Sequence, residues 1–333
     1  YIKNILSKVY KYHMKILAIQ NRMGIGDTVM FLPFVKALSV KFNTPISLLV
    51  KESSKADQYL FHTKYVDKVI LLERDKINTN RHDGFIGSYK LILDLKKYNF
   101  DKIIIFNSSL RYYVIAKLSG ATEVYQYPLF KKSRQHIIET PKKFFKTKFD
   151  LNVTEDPTIQ IDQTLITKTI EKFKINNREI NILLGIGGSG PTKRIPAKTF
   201  LEVIEKISKI KKCKFFLALG KDDEEQKILN EIYQSQFKDN LVRLDHLSIK
   251  DILPIIKSCN ISICNDSSFS HLSSALGVKT ITLMADTPLI YGNYSSKMFP
   301  IIPDDQNLVT HNTLGKEKIN SQKIFKKFVE ILD

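Results

Sequence analysis

The first group of residues that could do chemistry is a glycine-rich turn followed by an aspartate, Gly24-Ile25-Gly26-Asp27-Thr28. It comes directly after a short apolar run, residues 15–20, that predicts a strand, and it opens a segment with helical periodicity. A carboxylate at the mouth of a sheet can act as a general base that removes a proton from an attacking hydroxyl. Asp is also a favoured N-cap residue, worth about 1 kcal/mol. The spacing leaves both roles open for Asp27. The turn Gly24-x-Gly26 lacks the third glycine of a dinucleotide-binding fingerprint, so it gives little support to nucleotide binding.

A second glycine-rich loop, GIGGSGPTKRIP at residues 185–196, also follows a predicted strand. Pro196 suits the first turn of a helix. A glycine loop with two cations at a helix start is a plausible seat for phosphate. The alternative is a surface turn whose cations are simply solvated. The candidate binding residues in this loop are Gly187, Gly188, Thr192, Lys193 and Arg194.

A third polar segment, CNDSSFSH at residues 264–271, again joins a predicted strand to a helix. Its short side chains can present hydroxyls and backbone N–H groups to a diphosphate. The candidates are Asp266, Ser267, Ser268 and His271, although His271 could equally be a buried histidine bonded to backbone. Cys259 and Cys264 with His271 match no tetrahedral zinc spacing, so we expect no metal site.

Short apolar strands alternate with helical stretches around these segments in both halves of the chain. In the first half, strands are predicted at residues 15–20, 46–50, 69–72 and 102–106, with a helix at 28–42. In the second half, strands are predicted at 181–185, 215–219, 261–264 and 280–283, with helices after Pro196, near 222–233 and near 269–276. This alternation predicts an α/β fold with two doubly wound, Rossmann-like parallel sheets whose carboxyl ends meet at a central cleft.

The predicted organisation has four parts. Residues 1–13 form a basic amphipathic segment, 14–160 the first Rossmann-like domain, 161–178 a linker region and 179–333 the second Rossmann-like domain. The basic, aromatic stretch 131–150 breaks the alternation, and residues 152–157 have an irregular composition. A last helix at 321–332 could belong to either half.

Composition restricts the class of protein. With 333 residues, 43% of them hydrophobic, the chain can build two domains with their own cores, which excludes a mostly disordered protein. No apolar run approaches the roughly 18 residues of a spanning helix. Three cysteines, without a recognisable leader, favour a reducing compartment. We therefore expect a cytoplasmic protein.

Positive charge is concentrated in the first half. Residues 1–150 contain 27 Lys+Arg and 12 Asp+Glu, a net charge of +15 out of the total of +18. Nucleic acid, an acidic membrane surface or a phosphorylated or carboxylated substrate would each suit such a charge. A lysine-rich surface that serves solubility alone is the remaining alternative.

Taken together, the three segments resemble glycosyltransferase family nine, the heptosyltransferases of lipopolysaccharide core assembly, over nearly the whole chain from Met14. The matching stretches are GD at 26–27 with LPFVKAL at 32–38, TKRIP at 192–196 followed by Phe200, and NDS at 265–267 with SHL at 270–272 and AL at 275–276. The resemblance implies a two-domain GT-B fold and an inverting, metal-independent transfer of a sugar, with no cofactor beyond the nucleotide-sugar donor.

The same resemblance implies roles for individual residues. Asp27 would be the base and Lys193 would contact the donor diphosphate, together with the other candidates of the second and third segments. Gly26 and Thr28 would lie on the acceptor side, where Arg111 and Arg134 could pair with acceptor carboxylates or phosphates. The expected partners are a nucleotide sugar, ADP-heptose, an anionic glycan or glycolipid acceptor, and the cytoplasmic face of the inner membrane by peripheral contact.

Two departures from the family pattern concern the donor. Ser268 stands where members usually have glycine, and Met284-Ala285-Asp286-Thr287-Pro288 replaces a Gly-Pro-Thr-type loop. They leave the identity of the transferred sugar open.

Three other functions remain as alternatives. A sugar-nucleotide epimerase or hydrolase on the same fold would need further cleft acids. A nucleic-acid-binding protein would explain the charge, but no signature supports it, so no nucleic-acid partner is expected. A noncatalytic sugar-nucleotide binder does not require Asp27.

Overall fold

A computed structural model describes residues 14–74, 80–129, 136–176 and 178–332. The chain divides into two compact units. Unit 1 comprises the described residues of 1–23, 34–53 and 64–153, and unit 2 those of 24–33, 54–63 and 154–333. Each unit is built around one parallel sheet with helices packed on it, which confirms the predicted α/β, Rossmann-like fold class.

The sheet of unit 1 has the strand order β3-β2-β1-β4-β5, and every pair is parallel. Its central strand is buried along its whole length, as expected for a parallel strand covered on both faces. The strands are β1 (Ile16–Gln20), β2 (Ile46–Lys51), β3 (Val66–Leu72), β4 (Lys102–Ile105) and β5 (Glu123–Gln126). The helices are α1 (Ile25–Phe42), α2 (Gly84–Lys96), α3 (Leu110–Leu118) and α4 (Glu139–Phe149).

Helices cover the sheet of unit 1 on two faces. Helix α1 joins β1 to β2, which runs towards the β3 edge of the sheet. Helices α2 and α3 join β3 to β4 and β4 to β5, which runs towards the β5 edge. Because such crossovers are right-handed, α1 lies on one face of the sheet and α2 and α3 lie on the other. Helices α2 and α3 share an apolar core with β1, β2 and β4. Helix α4 packs on α1, where the rings of Phe34 and Phe145 lie 5.1 Å apart.

The sheet of unit 2 has the order β11-β10-β9-β6-β7-β8, again with parallel pairs only. Its strands are β6 (Ile180–Gly185), β7 (Cys213–Ala218), β8 (Leu241–Arg243), β9 (Ile261–Asn265), β10 (Lys279–Leu283) and β11 (Met298–Ile301). Its helices are α5 (Gln163–Phe173), α6 (Ala197–Ser208), α7 (Asp223–Tyr233), α8 (Ile249–Lys257), α9 (Ser268–Ala275) and α10 (Ser321–Leu332). Helix α10 packs on α6 and contributes Ile324 and Phe328 to the core of unit 2, which settles its place.

The observed grouping differs from the expected domain boundaries in two places. Residues 24–33 and 54–63 group with unit 2, although they precede residue 160. The expected linker 161–178 contains helix α5, because Asp162 caps it by accepting a hydrogen bond from the Thr164 N–H at 2.7 Å, and the helix packs on α8. The alternation of strands and helices, predicted to break at residues 131–150, resumes with helix α4 inside that stretch. Pro141 lies in the first turn of α4, where proline is tolerated.

Two expected features lie outside the described residues: the amphipathic segment 1–13, and residues 131–135 of the basic stretch. Within the described part of the chain, no helix combines the length and the apolarity needed to span a bilayer.

We predict that Phe145→Ala lowers the free energy of unfolding by about 3–5 kcal/mol, because the ring is fully buried against Phe34 and Phe106 and its loss leaves a cavity. Urea denaturation measures the change. Phe85→Ala is the matched control, since that ring is 96% exposed and its removal should cost less than about 0.5 kcal/mol. Equal effects of the two substitutions would contradict the assigned core.

Candidate active site

The candidate site of unit 2 lies where its strand order reverses. From β6 the chain continues to β7 and β8 on one side, and then returns to place β9 on the other side of β6. The carboxyl ends of β6 and β9 therefore flank a switch point, the place where ligands bind in doubly wound sheets. The loops that follow these strands contain the second and third predicted segments. Asn265 joins them by donating a hydrogen bond from Nδ2 to the Ile186 carbonyl at 2.8 Å.

An ion pair links the two loops. Lys193, in a single 3-10 turn, donates from Nζ to Asp266 Oδ2 at 2.7 Å, and Asp266 is 5% exposed. Burial by itself would raise the pKa of Asp266, but the charge and hydrogen bond of Lys193, together with His271 and the Thr287 hydroxyl, hold the pKa below its usual range. The carboxylate is therefore ionised at neutral pH and fixes an ammonium group at the switch point.

His271 lies one turn into α9 and is neutral. Burial lowers the pKa of its imidazole, Asp266 opposes this, and Lys193 lowers the pKa further. Its Nδ1 lies 2.7 Å from the Tyr294 hydroxyl, and its Nε2 lies 3.9 Å from Asp266 Oδ1. Burial raises the pKa of Tyr294, so the hydroxyl keeps its proton and can donate it to Nδ1. The side chain of Tyr294 therefore holds His271, whereas the alternative considered from the sequence was a hydrogen bond between His271 and the backbone.

The turn that carries Asp27 packs against His271. Helix α1 begins at Ile25, so Asp27 is its third residue and does not occupy the preceding N-cap position. Gly24, with φ +95°, supplies the left-handed residue before the helix. A Cβ at Gly26 would lie 2.4 Å from His271 Nε2, closer than any real side chain approaches. Only glycine allows this approach, which brings the first predicted segment to the other two within unit 2.

Arg194 and Glu225 hold the glycine loop in place. The Arg194 guanidinium donates to the Gly188 carbonyl at 3.1 Å and pairs with Glu224 and Asp222 at 2.6 and 2.8 Å. The buried Glu225 carboxylate accepts from the backbone N–H groups of Gly188 and Gly220 at 2.8 and 2.5 Å. The charge of Arg194 is therefore already compensated by carboxylates, and the residue braces the loop.

The remaining donor-side candidates occupy distinct positions in the same region. Thr192 bonds to Asp286, which also accepts the Leu314 N–H at 2.8 Å. Gly187 lies against Glu225, because a Cβ at position 187 would be only 2.8 Å from the Glu225 carboxylate. Ser267 precedes α9, and its buried hydroxyl has no hydrogen-bond partner among the described residues, which leaves it available to a ligand. Ser268 is the first residue of α9.

The acceptor-side candidates are not all brought together. Thr28 lies in the first turns of α1 and donates to the Gly24 carbonyl at 3.3 Å. Arg111 belongs to unit 1, where it ties α3 to α2 through the Ser88 hydroxyl at 2.9 Å and the His82 carbonyl. Burial, and to a lesser degree Arg74, lowers its pKa. Its contact with an acceptor stays a prediction, and Arg134 lies outside the described residues.

Two contributors to the site were not predicted from the sequence: Tyr294 and Glu225. Asp286 lies in segment 284–288, which was singled out as a departure on the donor side. The acidic run at residues 222–225, at the start of α7, was a usable signal for Glu225. No local pattern marked Tyr294, which lies in irregular chain 23 residues after His271.

The cysteines considered for zinc are buried. Burial raises the pKa of both thiols, that of Cys264 to about 12, so both are protonated at neutral pH, the form that binds metals poorly. No cluster of three His, Cys, Asp or Glu residues suited to a metal ion occurs in the described ranges. That the protein works without a metal stays a prediction.

Residues 89–328 match the family model for glycosyltransferase family 9 (heptosyltransferase). The chain belongs to this family. Lipopolysaccharide heptosyltransferase 1 of Campylobacter coli is 24% identical over 331 residues, covering 90% of this chain and 92% of that protein.

Two solved structures show the fold of the family. The glycosyl transferase family 9 protein of Veillonella parvula has a TM-score of 0.77 at 17% identity, covering 96% of this chain and 97% of its own. The E. coli heptosyltransferase WaaC with ADP has a TM-score of 0.69 at 15% identity, covering 96% of this chain and all of its own. The predicted GT-B fold class is confirmed, and this family 9 member is a glycosyltransferase, as predicted.

We predict that Gly26→Ala destabilises the protein by about 1–3 kcal/mol, because the new methyl group overlaps the His271 imidazole. Gly190→Ala is the control, because a Cβ there meets nothing within 4 Å. In a His271→Ala background the cost of Gly26→Ala should largely disappear, as a double-mutant cycle in urea would show. If the cost stayed the same in that background, the packing of Gly26 on His271 would not be its origin.

Proposed function

We propose that the protein is an inverting, metal-independent glycosyltransferase that moves heptose from ADP-heptose to a lipopolysaccharide core or a related glycan acceptor. The observation that carries this is the Lys193–Asp266 ion pair at the switch point, with the Gly26-Asp27 turn packed on the neighbouring His271. Support for the substrates comes from relatives named for lipopolysaccharide heptosyl transfer, and from a solved relative with ADP.

The donor diphosphate would bind where the loops after β6 and β9 meet. Lys193 is paired with Asp266, but its ammonium group has further N–H donors that can contact the diphosphate. The unpartnered Ser267 hydroxyl supplies another hydrogen-bond donor beside the start of α9. As the bond between the sugar and the phosphate breaks, negative charge grows on the departing diphosphate. A fixed ammonium group stabilises that charge without a metal ion, because it is already oriented before the reaction.

The acceptor hydroxyl would be activated by Asp27. In a single displacement the hydroxyl oxygen bonds to the anomeric carbon, its proton passes to the Asp27 carboxylate, and the nucleoside diphosphate leaves with the electrons of the broken bond. One displacement inverts the anomeric configuration. Neutral His271 adds no second charge at this point, and it supports the turn that presents Asp27.

An anionic, lipid-linked acceptor would explain the charge of the first half of the chain. The +15 on residues 1–150 suits acceptor phosphates or carboxylates and an acidic membrane surface. We therefore propose peripheral contact with the cytoplasmic face of the inner membrane.

The experiment that tests this function is a transfer assay with a panel of ADP, UDP, GDP and CMP sugars and a lipopolysaccharide core acceptor. We expect a product only with ADP-heptose, and NMR of the new linkage should show the anomeric configuration opposite to that of the donor. A thermal-shift series with the same nucleotides gives the donor preference independently of the acceptor. Retention of configuration, or preference for another nucleotide in both assays, would refute the proposal.

We predict that Asp27→Asn lowers turnover by about two to four orders of magnitude, because the amide cannot accept the hydroxyl proton. The affinity for ADP should stay within about twofold, since the donor is held by other residues. Calorimetry for ADP and initial rates with saturating donor separate the two effects. Asp239→Asn, at an exposed position, is the control and should keep full activity. Near-native turnover of Asp27→Asn would remove Asp27 from the mechanism.

We predict that Lys193→Met both weakens ADP binding and destabilises the fold by about 1–3 kcal/mol, because it leaves the Asp266 carboxylate buried without its cation. The pKa of Asp266 then rises above its unfolded value. Protonation relieves the defect, so the loss of stability is largest at neutral pH and shrinks as the pH falls towards 4.

The double variant Lys193→Met/Asp266→Asn separates the two roles of the lysine. It should recover most of the stability, because no buried charge remains, but not the ADP affinity. Recovery of both would mean that Lys193 serves only to neutralise Asp266. With the unchanged enzyme, EDTA should leave the transfer rate unaffected, and inhibition reversed by magnesium or manganese would overturn the metal-free proposal.

A further inference from the structure

Helices α2 and α3 expose a row of large apolar side chains. Phe85 is 96% exposed and Ile86 74%, and they begin α2; Leu110, 54% exposed, begins α3. Such side chains are normally buried, and a contiguous exposed group of them marks an interaction site. The full set is Phe85, Ile86, Tyr89, Leu93, Leu110, Val114 and Leu118, which we name the α2–α3 outer face.

The spacing shows that these side chains form one surface. Members of the set recur three to four residues apart on each helix, the spacing of a single helical face. The opposite sides of the two helices, including Leu91, Leu95 and Ile115, belong to the core of unit 1. Because α2 and α3 pack against each other, their two exposed rows lie side by side. The core of unit 1 is thus complete without the outer face.

The charge around the outer face is positive. Lys90, Lys96, Lys97 and Lys117 are exposed on the same helices or directly after them. Asp94 is the only acidic residue of α2 and α3; it is 21% exposed, and Arg81 and Lys97 bind its carboxylate at 2.6 and 2.9 Å. Asp83, directly before α2, is 38% exposed and is bound by Arg74 at 2.9 Å. The exposed apolar side chains are therefore framed mainly by cations, and both of these carboxylates are paired with cations.

We infer that the α2–α3 outer face docks on an anionic lipid surface. Apolar side chains bury at the boundary of headgroups and acyl chains, while the lysines contact lipid phosphates. A second copy of the chain fits less well, because a symmetric dimer through this face would bring lysines against lysines. The inference rests on the membrane contact in the proposed function and deepens it, because it names the surface through which the protein would bind lipid.

The position of the face suits an enzyme that works on a membrane-linked substrate. Phe85, Ile86 and Leu110 lie in the first turns of helices that follow β3 and β4, at the carboxyl edge of the sheet. The chain leaves β1 towards Gly24 at this same edge. Helices α2 and α3 also belong to the first half of the chain, whose net charge of +15 suits an acidic membrane surface.

The chain contains no tryptophan, which makes insertion directly measurable. Phe85→Trp introduces a single fluorophore at the most exposed position of the face, and Val329→Trp on α10 is the matched control. We expect vesicles containing phosphatidylglycerol to move the emission of the Phe85→Trp variant to shorter wavelength and to make it quenchable by brominated acyl chains. Phosphatidylcholine vesicles, and the control variant, should give no change.

Sedimentation with the same vesicles separates the apolar and the electrostatic contributions to binding, with all 333 residues present. Lys90→Glu/Lys117→Glu should weaken binding at least tenfold, since each cation near an anionic surface contributes roughly fivefold. Phe85→Ser/Ile86→Ser should also weaken binding at least tenfold, because it removes two large apolar side chains that would be buried in the interface. Ile210→Ser/Val329→Ser and Lys168→Glu/Lys326→Glu make the same chemical changes at exposed positions of unit 2 and should have little effect.

Several outcomes would overturn the inference. An unchanged Phe85→Trp spectrum, or equal losses for the outer-face variants and their controls, would show that this face does not touch lipid. Self-association that Phe85→Ser/Ile86→Ser abolishes, without vesicle binding, would assign the face to a second copy. Transferase activity on a soluble, delipidated acceptor should be the same in all these variants as in the unmodified enzyme. If the unmodified enzyme had no such activity, the proposed function would be refuted but the lipid-binding inference would not.

Discussion

The arrangement of the candidate active site depends on neutralising one buried carboxylate. Asp266 follows β9, the strand next to β6, at a point where burial alone would raise its pKa, and the ion pair with Lys193 favours the ionised form. This requirement fixes the loop after β6, since Lys193 must reach across the switch point. Arg194 and Glu225 then hold the glycines of that loop from the other side. The ammonium group proposed to receive the diphosphate is thus oriented by the same interaction that allows the carboxylate to be buried.

The second constraint is steric. His271 lies beside Asp266 and is held by Tyr294, and its ring leaves no room for a side chain at position 26. The start of α1 can therefore approach the loops of unit 2 only through a glycine. Asp27 is the next residue, so the neutral imidazole sets where the proposed base lies. Charge and shape act on neighbouring residues here: Lys193 and Asp266 establish the electrostatics, and His271 with Gly26 establishes the position of the carboxylate.

Local patterns in the sequence were enough for most of the fold. The strand, turn and helix around Gly24 were predicted from apolar periodicity, and the bounds of α10 agree with the predicted helix at 321–332. Interactions between distant residues were not accessible in this way. Tyr294 has no spacing relation to His271, and the grouping of residues 24–33 with unit 2 reflects packing that leaves no mark in a single sequence. Helix α5 was missed although Asp162 and the apolar residues within 165–173 are a usable cap and spacing, because the segment was interpreted as the linker between the two alternating halves.

The lysines around the α2–α3 outer face also bear on how the protein behaves at high concentration. Repulsion between these cations keeps the apolar faces of separate copies apart as long as the charges are felt across the gap. Salt shortens that range to about 10 Å at 0.1 M and about 3 Å at 1 M. At high ionic strength Phe85 and its neighbours lose this protection. Without lipid, the protein therefore resists aggregation through these faces only at low ionic strength.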